Sequence, residues 1–68
     1  MSASSARVVS ALIAGDIIKD PEHEEPIIVH SVETEDEFVF VYGRLVGSDN
    51  GTKVELIYAK GHEAEVYA

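Results

Sequence analysis

Carboxylates are the side chains of this sequence whose number and spacing could do chemistry. The chain has 13 Asp and Glu against 5 Lys and Arg, which gives a formal net charge of −8 over 68 residues. Carboxylates spaced along a surface can replace nucleic-acid phosphates as partners for the Arg and Lys side chains of a basic protein. Runs of like charge are also typical of ordinary solvated turns. The acids of interest form two runs, Asp20, Glu22, Glu24 and Glu25, then Glu33, Glu35, Asp36 and Glu37.

The negative charge bears on the class of partner. Direct binding to nucleic acid needs a basic footprint on the protein, and so does docking on an anionic membrane. The sequence shows an acidic excess instead. We therefore expect a protein partner, with a basic one favoured by the charge, and neither direct nucleic-acid binding nor membrane binding.

A metal site and a catalytic centre have little support in the sequence. Residues 22–25 (EHEE) offer hard oxygens and an imidazole, but they lack the spacing of a calcium loop and a second histidine in helical register. The chain has no cysteine, and neither Ser10 nor Ser31 lies in a nucleophile-elbow sequence. We therefore expect no enzyme activity, no catalytic residue, no metal ligand and no cofactor.

A hairpin over residues 37–58 is the element around which the chain is organised. Its apolar residues recur with the period of two that is typical of a half-buried strand. Asn50-Gly51 is a strong turn signal, because both residues tolerate the positive φ of a type I′ turn. A two-residue loop there predicts that Leu45 lies opposite Leu56. Gly43, in the middle of the first strand, predicts a bend or a bulge.

The second face of this hairpin carries aromatic residues. Phe40, Tyr42 and Ile57 share it, and Tyr and Phe are enriched at protein interfaces. The alternative is that Gly43 bends the strand and Phe40 folds into the core. With Tyr67 of the last strand, these residues form a second candidate partner-binding surface, which would also suit a homodimer. The last strand is expected at a sheet edge, where it could pair with a copy of itself.

Two further segments are typical of strands. Residues 27–32 are apolar and β-branched, and residues 63–67 alternate between polar and apolar. Strict alternation in the first segment places His30 on one face with Ile28 and Val32. We expect a half-buried His30, with a pH-sensitive or interface histidine as the alternative.

The N-terminal segment allows two interpretations. A strand at residues 7–10, a turn, and a second strand at residues 16–19 form the favoured one, because Val8, Val9 and Ile13 are β-branched and weak helix formers. The alternative is an α+β fold with a short helix over residues 5–14.

Five or six short strands predict a small all-β domain, either an SH3-like barrel or a rolled antiparallel sheet. Residues 12–32, with the turn Gly15-Asp16-Ile17-Ile18 and the strand Ile28-Val29-His30-Ser31-Val32, resemble the opening of small SH3-like barrels. We expect a flexible N-terminus over residues 1–5 and one domain over residues 6–68. The expected core is Val9, Leu12, Ile17, Ile28, Val32, Val39, Val41, Leu45, Val54, Leu56 and Val66.

These features together predict a non-enzymatic protein-binding module. The sharper hypothesis is an acidic inhibitor, or a nucleic-acid mimic, that engages a basic partner through the two acidic runs. The alternatives are a structural or self-assembling β subunit and, third, a metal-dependent enzyme. The sequence shows no signal peptide and no apolar run that could span a bilayer, so we expect a cytoplasmic protein.

Overall fold

A computed structural model of the chain describes residues 4–47 and 51–67. These residues form one antiparallel sheet with the strand order β1-β6-β2-β3-β4-β5, in which β1 and β5 are the two edges. The sheet is not closed, and the prediction of a small all-β fold is confirmed. The strands are β1 (Ser4–Val8), β2 (Ile17–Lys19), β3 (Ile27–Glu35), β4 (Phe38–Leu45), β5 (Lys53–Ala59) and β6 (Glu63–Tyr67), with a 3-10 turn at Val9–Ala11.

The N-terminal segment is strand, turn and strand, as favoured, and not a helix. β1 already begins at Ser4, so Ser4 and Ser5 lie in a strand where the sequence predicted a flexible start. The strand ends at Val8, because the 3-10 turn then begins at Val9. β1 and β2 do not pair with each other, since each pairs with a different side of β6.

β6 therefore lies inside the sheet, and its prediction as an edge strand is wrong. Both of its sides are occupied by neighbouring strands, so it cannot pair with a copy of itself. Tyr67 lies opposite Ile17 of β2, and β2 and β3 separate it from β4. Tyr67 thus does not extend the surface that contains Phe40 and Tyr42.

β4 and β5 form the predicted hairpin in a different register. Leu56 pairs with Val41, four positions before its predicted partner Leu45. Because successive strand residues point to opposite faces, an even displacement leaves each side chain on its predicted face. Val41 and Leu56 are accordingly buried.

The loop of the hairpin is longer than predicted. The N–H of Leu45 donates to the carbonyl of Thr52 at 2.9 Å, so the connection spans residues 46–52 and a two-residue loop is wrong. Gly51 has the predicted positive φ, at 55°. The other residue of the predicted turn, Asn50, lies outside the described residues, as do Ser48 and Asp49 before it.

A β-bulge bends the sheet next to Gly43. The register between β3 and β4 shifts between Val29 and Ser31, so that His30 is the extra residue. Val29 lies opposite Gly43, and a Cβ built on Gly43 would overlap the carbonyl oxygen of Ile28. The bend predicted at Gly43 is therefore present, but the extra residue belongs to the partner strand. The two strands approach each other at a point where only glycine fits.

The bulge changes which residues of β3 reach the core. Ile27 and Val29 are buried, and Val32 packs against the core beyond the bulge. Ile28 and His30 are exposed, so the prediction that they face inward with Val32 is wrong. The extra residue of a bulge reverses the alternation of the strand on its far side. Counting back from Val32 in steps of two therefore places Ile28 and His30 on the core face, whereas they lie on the opposite face.

The remaining predicted core residues are found in the core except in β2, and Ala64 of β6 is a buried residue that was not predicted. Ile18, opposite Val66 of β6, is fully buried, and Ile17 is only half-buried. Leu45, Val54 and Tyr58 are partly buried against the core. The buried apolar side chains are Val9, Leu12, Ile18, Ile27, Val29, Val39, Val41, Leu56, Ala64 and Val66.

Replacing Gly43 by alanine is expected to destabilise the fold. The added methyl group would overlap the backbone of β3, which cannot move aside as a flexible side chain can. We expect the free energy of unfolding to fall by about 2 kcal/mol or more, seen as a lower midpoint in urea. Gly61→Ala is the control, because no atom lies within 4 Å of a Cβ at that position. Equal losses in both variants would contradict the close approach.

Candidate functional site

The outer face of β3, β4 and β5 combines the two surfaces that the sequence presents as separate. Phe40 lies between Glu33 of β3 and Ile57 of β5. Tyr42, the next residue of β4 on this face, lies opposite Glu55 of β5. Carboxylates and aromatic rings are therefore neighbours across three strands. We call this surface the acidic aromatic face, and it consists of Glu33, Glu35, Phe38, Phe40, Tyr42, Glu55 and Ile57.

Its apolar side chains are open to solvent. Phe38 is 52% exposed and Ile57 is 59% exposed, while Phe40 is half-buried. The alternative in which Phe40 folds into the core is wrong, because Val39 and Val41 occupy the core positions of β4. Phe38, Phe40 and Ile57 therefore add apolar surface to a face that also carries carboxylates.

The pKa of Tyr42 reflects the electrostatics of this face. Partial desolvation raises the pKa of its hydroxyl above the ordinary value, and the negative charges of Glu33, Glu55 and Glu35 raise it further. Carboxylates on both flanking strands therefore act on one hydroxyl. The same field favours a cation placed over the face, and an aromatic ring can hold a cation against its surface.

Two residues of the second acidic run lie in a strand of this face and not in a loop. Glu33 and Glu35 lie in β3, which extends over nine residues, and only Asp36 and Glu37 form the turn. The prediction of one acidic turn over this run is therefore wrong. Residues two apart in a strand point to the same side, so Glu33 and Glu35 form a row along the outer face.

The first acidic run contains one buried residue and three that reach the surface. Asp20 is only 6% exposed, so its prediction as a partner-binding residue is not supported by its position. Glu22 and Glu24 are exposed, and Glu25 is half-buried. The run is thus not a single solvated loop. Partner binding by Glu22, Glu24 and Glu25 remains a prediction.

Asp20 connects the end of β2 to β5. The Tyr58 hydroxyl donates to its Oδ1 at 2.7 Å, and Nδ1 of His23 lies 3.0 Å from its Oδ2. The backbone N–H of Glu22 donates to the same Oδ2 at 3.1 Å. Burial opposes the charge of Asp20, but these hydrogen bonds outweigh it and hold the pKa of the carboxyl below its usual value. Burial and the bond to Asp20 raise the pKa of Tyr58 well above its usual range.

Two further rings and a groove surround this carboxylate. His62 stacks on Tyr58, with ring centroids 4.8 Å apart and planes 4° from parallel. Asp20 orients His23 as a carboxylate orients a catalytic base. The groove beside them, lined by residues 20, 22, 23 and 55–58, contains no Ser, Thr, Cys or Lys to serve as a nucleophile.

Two searches of the described residues bear on other site classes. Within residues 4–47 and 51–67, no three His, Asp or Glu side chains converge to hold a metal ion. No helix in that part of the chain is long and apolar enough to cross a membrane.

Three residues of these sites were missed in the sequence. Phe38 shares the alternation of Phe40 and Tyr42, so its membership could have been found from spacing alone. Glu55 lies two residues before Ile57, so alternation places it on the same face, and only its position opposite Tyr42 required the register. Tyr58 bonds Asp20 from 38 positions away, which no local pattern signals.

Comparison of the chain with protein-family models, with curated proteins and with solved structures gave no match. The case for a function therefore rests on the side chains and backbone described above.

Removing the Tyr58 hydroxyl is expected to destabilise the protein in a pH-dependent way. Tyr58→Phe leaves a buried carboxylate without its shortest donor, and we expect a loss of about 1–3 kcal/mol at pH 7. The folded pKa of Asp20 is lowered, so the stabilisation is present above the unfolded pKa of about 4 and is lost as the pH falls through the folded value. The difference between wild type and variant should therefore shrink below about pH 4.

Urea unfolding measured between pH 7 and pH 2 checks this expectation. Tyr67→Phe is the matched control, because the Tyr67 hydroxyl makes no hydrogen bond to any described residue. A difference between wild type and Tyr58→Phe that stays constant with pH would show that the bond to Asp20 is not its source.

Proposed function

We propose that the protein is a non-enzymatic binding module that engages a basic segment of another protein through the acidic aromatic face. The register that places Glu33 and Glu55 on the two sides of the β4 aromatic row carries this proposal. Lys and Arg have an apolar stem and a charged head, so the stem can lie on a ring while the head reaches a carboxylate. A face with both features recognises such side chains better than either feature alone.

The sharper form of the proposal is an acidic inhibitor or nucleic-acid mimic. Its support is a net charge of −8 and the regular placement of Glu33 and Glu35 along one strand. Two residues of a strand span about 6–7 Å, which is within reach of neighbouring Arg side chains on a nucleic-acid-binding surface. Mimicry further requires that the partner loses its nucleic acid when the protein binds, which a competition experiment measures directly.

We also infer that the fold is SH3-like. The order β6-β2-β3-β4-β5 places the last strand beside the first strand of a meander, and β1 is added outside β6. The bulge in β3 and the Tyr58–Asp20 bond support a sheet curled around one core. A shared fold does not choose a function, so the binding proposal depends on the face and not on this likeness.

A self-assembling subunit is the second candidate. The exposure of Phe38 and Ile57 favours it, because apolar surface of this kind can be covered by a second copy. The charge opposes it, because each copy brings a net charge of −8. Sedimentation at increasing protein concentration separates the two, since assembly predicts a mass that rises with concentration.

Removing the carboxylates of the face is expected to weaken binding to a basic ligand. The variant Glu33→Gln, Glu55→Gln and the control Glu63→Gln, Glu65→Gln each remove two exposed negative charges from a net charge of −8. With a labelled ten-residue peptide of alternating Arg and Thr, we expect a loss of about tenfold or more in the first variant. Equal losses in both variants would indicate attraction by total charge alone.

The aromatic rings are expected to contribute independently of charge. Phe40→Ala should weaken binding of the same peptide by about fivefold, because the ring no longer supports the Arg stems. Ile13→Ala is the control, since Ile13 is 65% exposed and lies outside the face. The contribution of the ring should persist at high salt, where the contribution of the carboxylates falls. Unchanged affinity in Phe40→Ala would remove the ring from the site.

A further inference from the structure

The hydrogen bonds at the two ends of the β4–β5 pair show which residues of β5 bond to β4. The N–H of Leu45 donates to the carbonyl of Thr52, and the N–H of Lys60 donates to the carbonyl of Glu37. In an antiparallel ladder, residue pairs that exchange hydrogen bonds alternate with pairs whose backbone groups point away from the partner strand. It follows that Val54, Leu56 and Tyr58 are the residues of β5 that bond to β4.

Lys53, Glu55 and Ile57 therefore turn their N–H and C=O groups toward the open edge. β5 has no neighbour other than β4, and within residues 4–47 and 51–67 no other hydrogen bond reaches these groups. Glu55 and Ile57 also belong to the acidic aromatic face. The free backbone and the proposed binding face thus meet on the same strand.

A groove lies along this edge. It has a volume of about 270 Å³, with residues 20, 22 and 23 on one side and residues 55–58 of β5 on the other. The Tyr58–Asp20 hydrogen bond joins the two sides and fixes their separation. An extended chain needs a row of free backbone groups and room about 4.8 Å from the edge strand, and this groove gives room beside residues 55–58 of that strand.

We propose that β5 accepts an extended basic segment of the partner protein as an added strand. This inference rests on the proposed function and states how the partner is held. Glu55 on the edge and Glu22 across the groove supply charges that complement Arg or Lys. Alternate side chains of the added strand lie on the outer face, so the recognised segment carries basic residues at every second position.

A second copy of the chain fits this edge less well. Antiparallel pairing centred on Glu55, the middle of the three free residues, sets Glu55 directly opposite its own copy. Like charges in that position destabilise a strand pair. Each copy also carries a net charge of −8.

Backbone methylation of the peptide probe tests the added strand. Two versions of the alternating Arg-Thr peptide are compared, one N-methylated at every Arg and the other at every Thr. In an added strand only every second N–H faces β5, so one version should lose at least about tenfold in affinity while the other stays within about threefold of the unmodified peptide.

Ile57→Pro tests the same inference on the protein. Proline removes an N–H that points to the open edge and leaves the bonds to β4 in place, which edge strands tolerate. Ile57→Ala is the comparison, because it removes the side chain and keeps the N–H. We expect Ile57→Pro to bind about tenfold more weakly than Ile57→Ala, with circular dichroism confirming that both fold. The methylated peptides decide the question if the proline variant does not fold.

The outcomes separate this inference from the proposal on which it rests. If both methylated peptides bind as the unmodified one does, and binding still requires the carboxylates of the face, the added strand is wrong and the proposed function stands. If wild-type protein does not bind the unmodified peptide at all, both are wrong. If Ile57→Pro changes the sedimentation of the protein alone, the edge joins copies of the chain, and the basic segment is wrong.

Discussion

The hydrogen bond from the Tyr58 hydroxyl to Asp20 connects β5 to the residue that follows β2, across the open sheet. β5 pairs only with β4, so no ladder connects it to the strands on the other side of the core. Tyr58 spans that gap at 2.7 Å and reaches a carboxylate that is 6% exposed. A buried charge depends on the donors that the fold supplies, and Tyr58 is the donor that comes from a distant strand. One side-chain contact and the shared core therefore connect β5 to the far side of the open sheet, and the outer edge of β5 stays unpaired.

The acidic aromatic face follows from the same arrangement. Val39 and Val41 fill the core side of β4, so Phe38, Phe40 and Tyr42 must point outward. The described strands share one core, and the acidic aromatic face lies on the side of β3, β4 and β5 that points away from it. Polar residues would be the expected occupants of an uncovered face. Aromatic residues lie there instead, with carboxylates on both sides, and this combination is the basis of the proposed binding function.

Alternation predicted the faces of the strands well and their partners poorly. The sides of Val41 and Leu56 were predicted correctly although their register was wrong, because an even displacement does not change a face. Ile28 was wrongly predicted in the core, because strict alternation does not allow for the extra residue at His30, which reverses the alternation of β3. Gly43 signalled the bend, but a glycine does not indicate which of two paired strands carries the added residue.

In the candidate site, too, spacing along the chain predicted which residues share a face, but not which distant residues they contact. Phe40, Tyr42 and Ile57 could be grouped from spacing, whereas the place of Glu33 depended on how far β3 extends. Asp20 belongs to a run of like charges, yet its partner lies 38 positions away in a strand that only the folded topology brings near. A run of acids in a sequence is therefore not one functional unit. In this chain Asp20 of the first run bonds Tyr58, whereas Glu33 and Glu35 of the second run line the acidic aromatic face, and the net charge counts all of them as if they were equivalent.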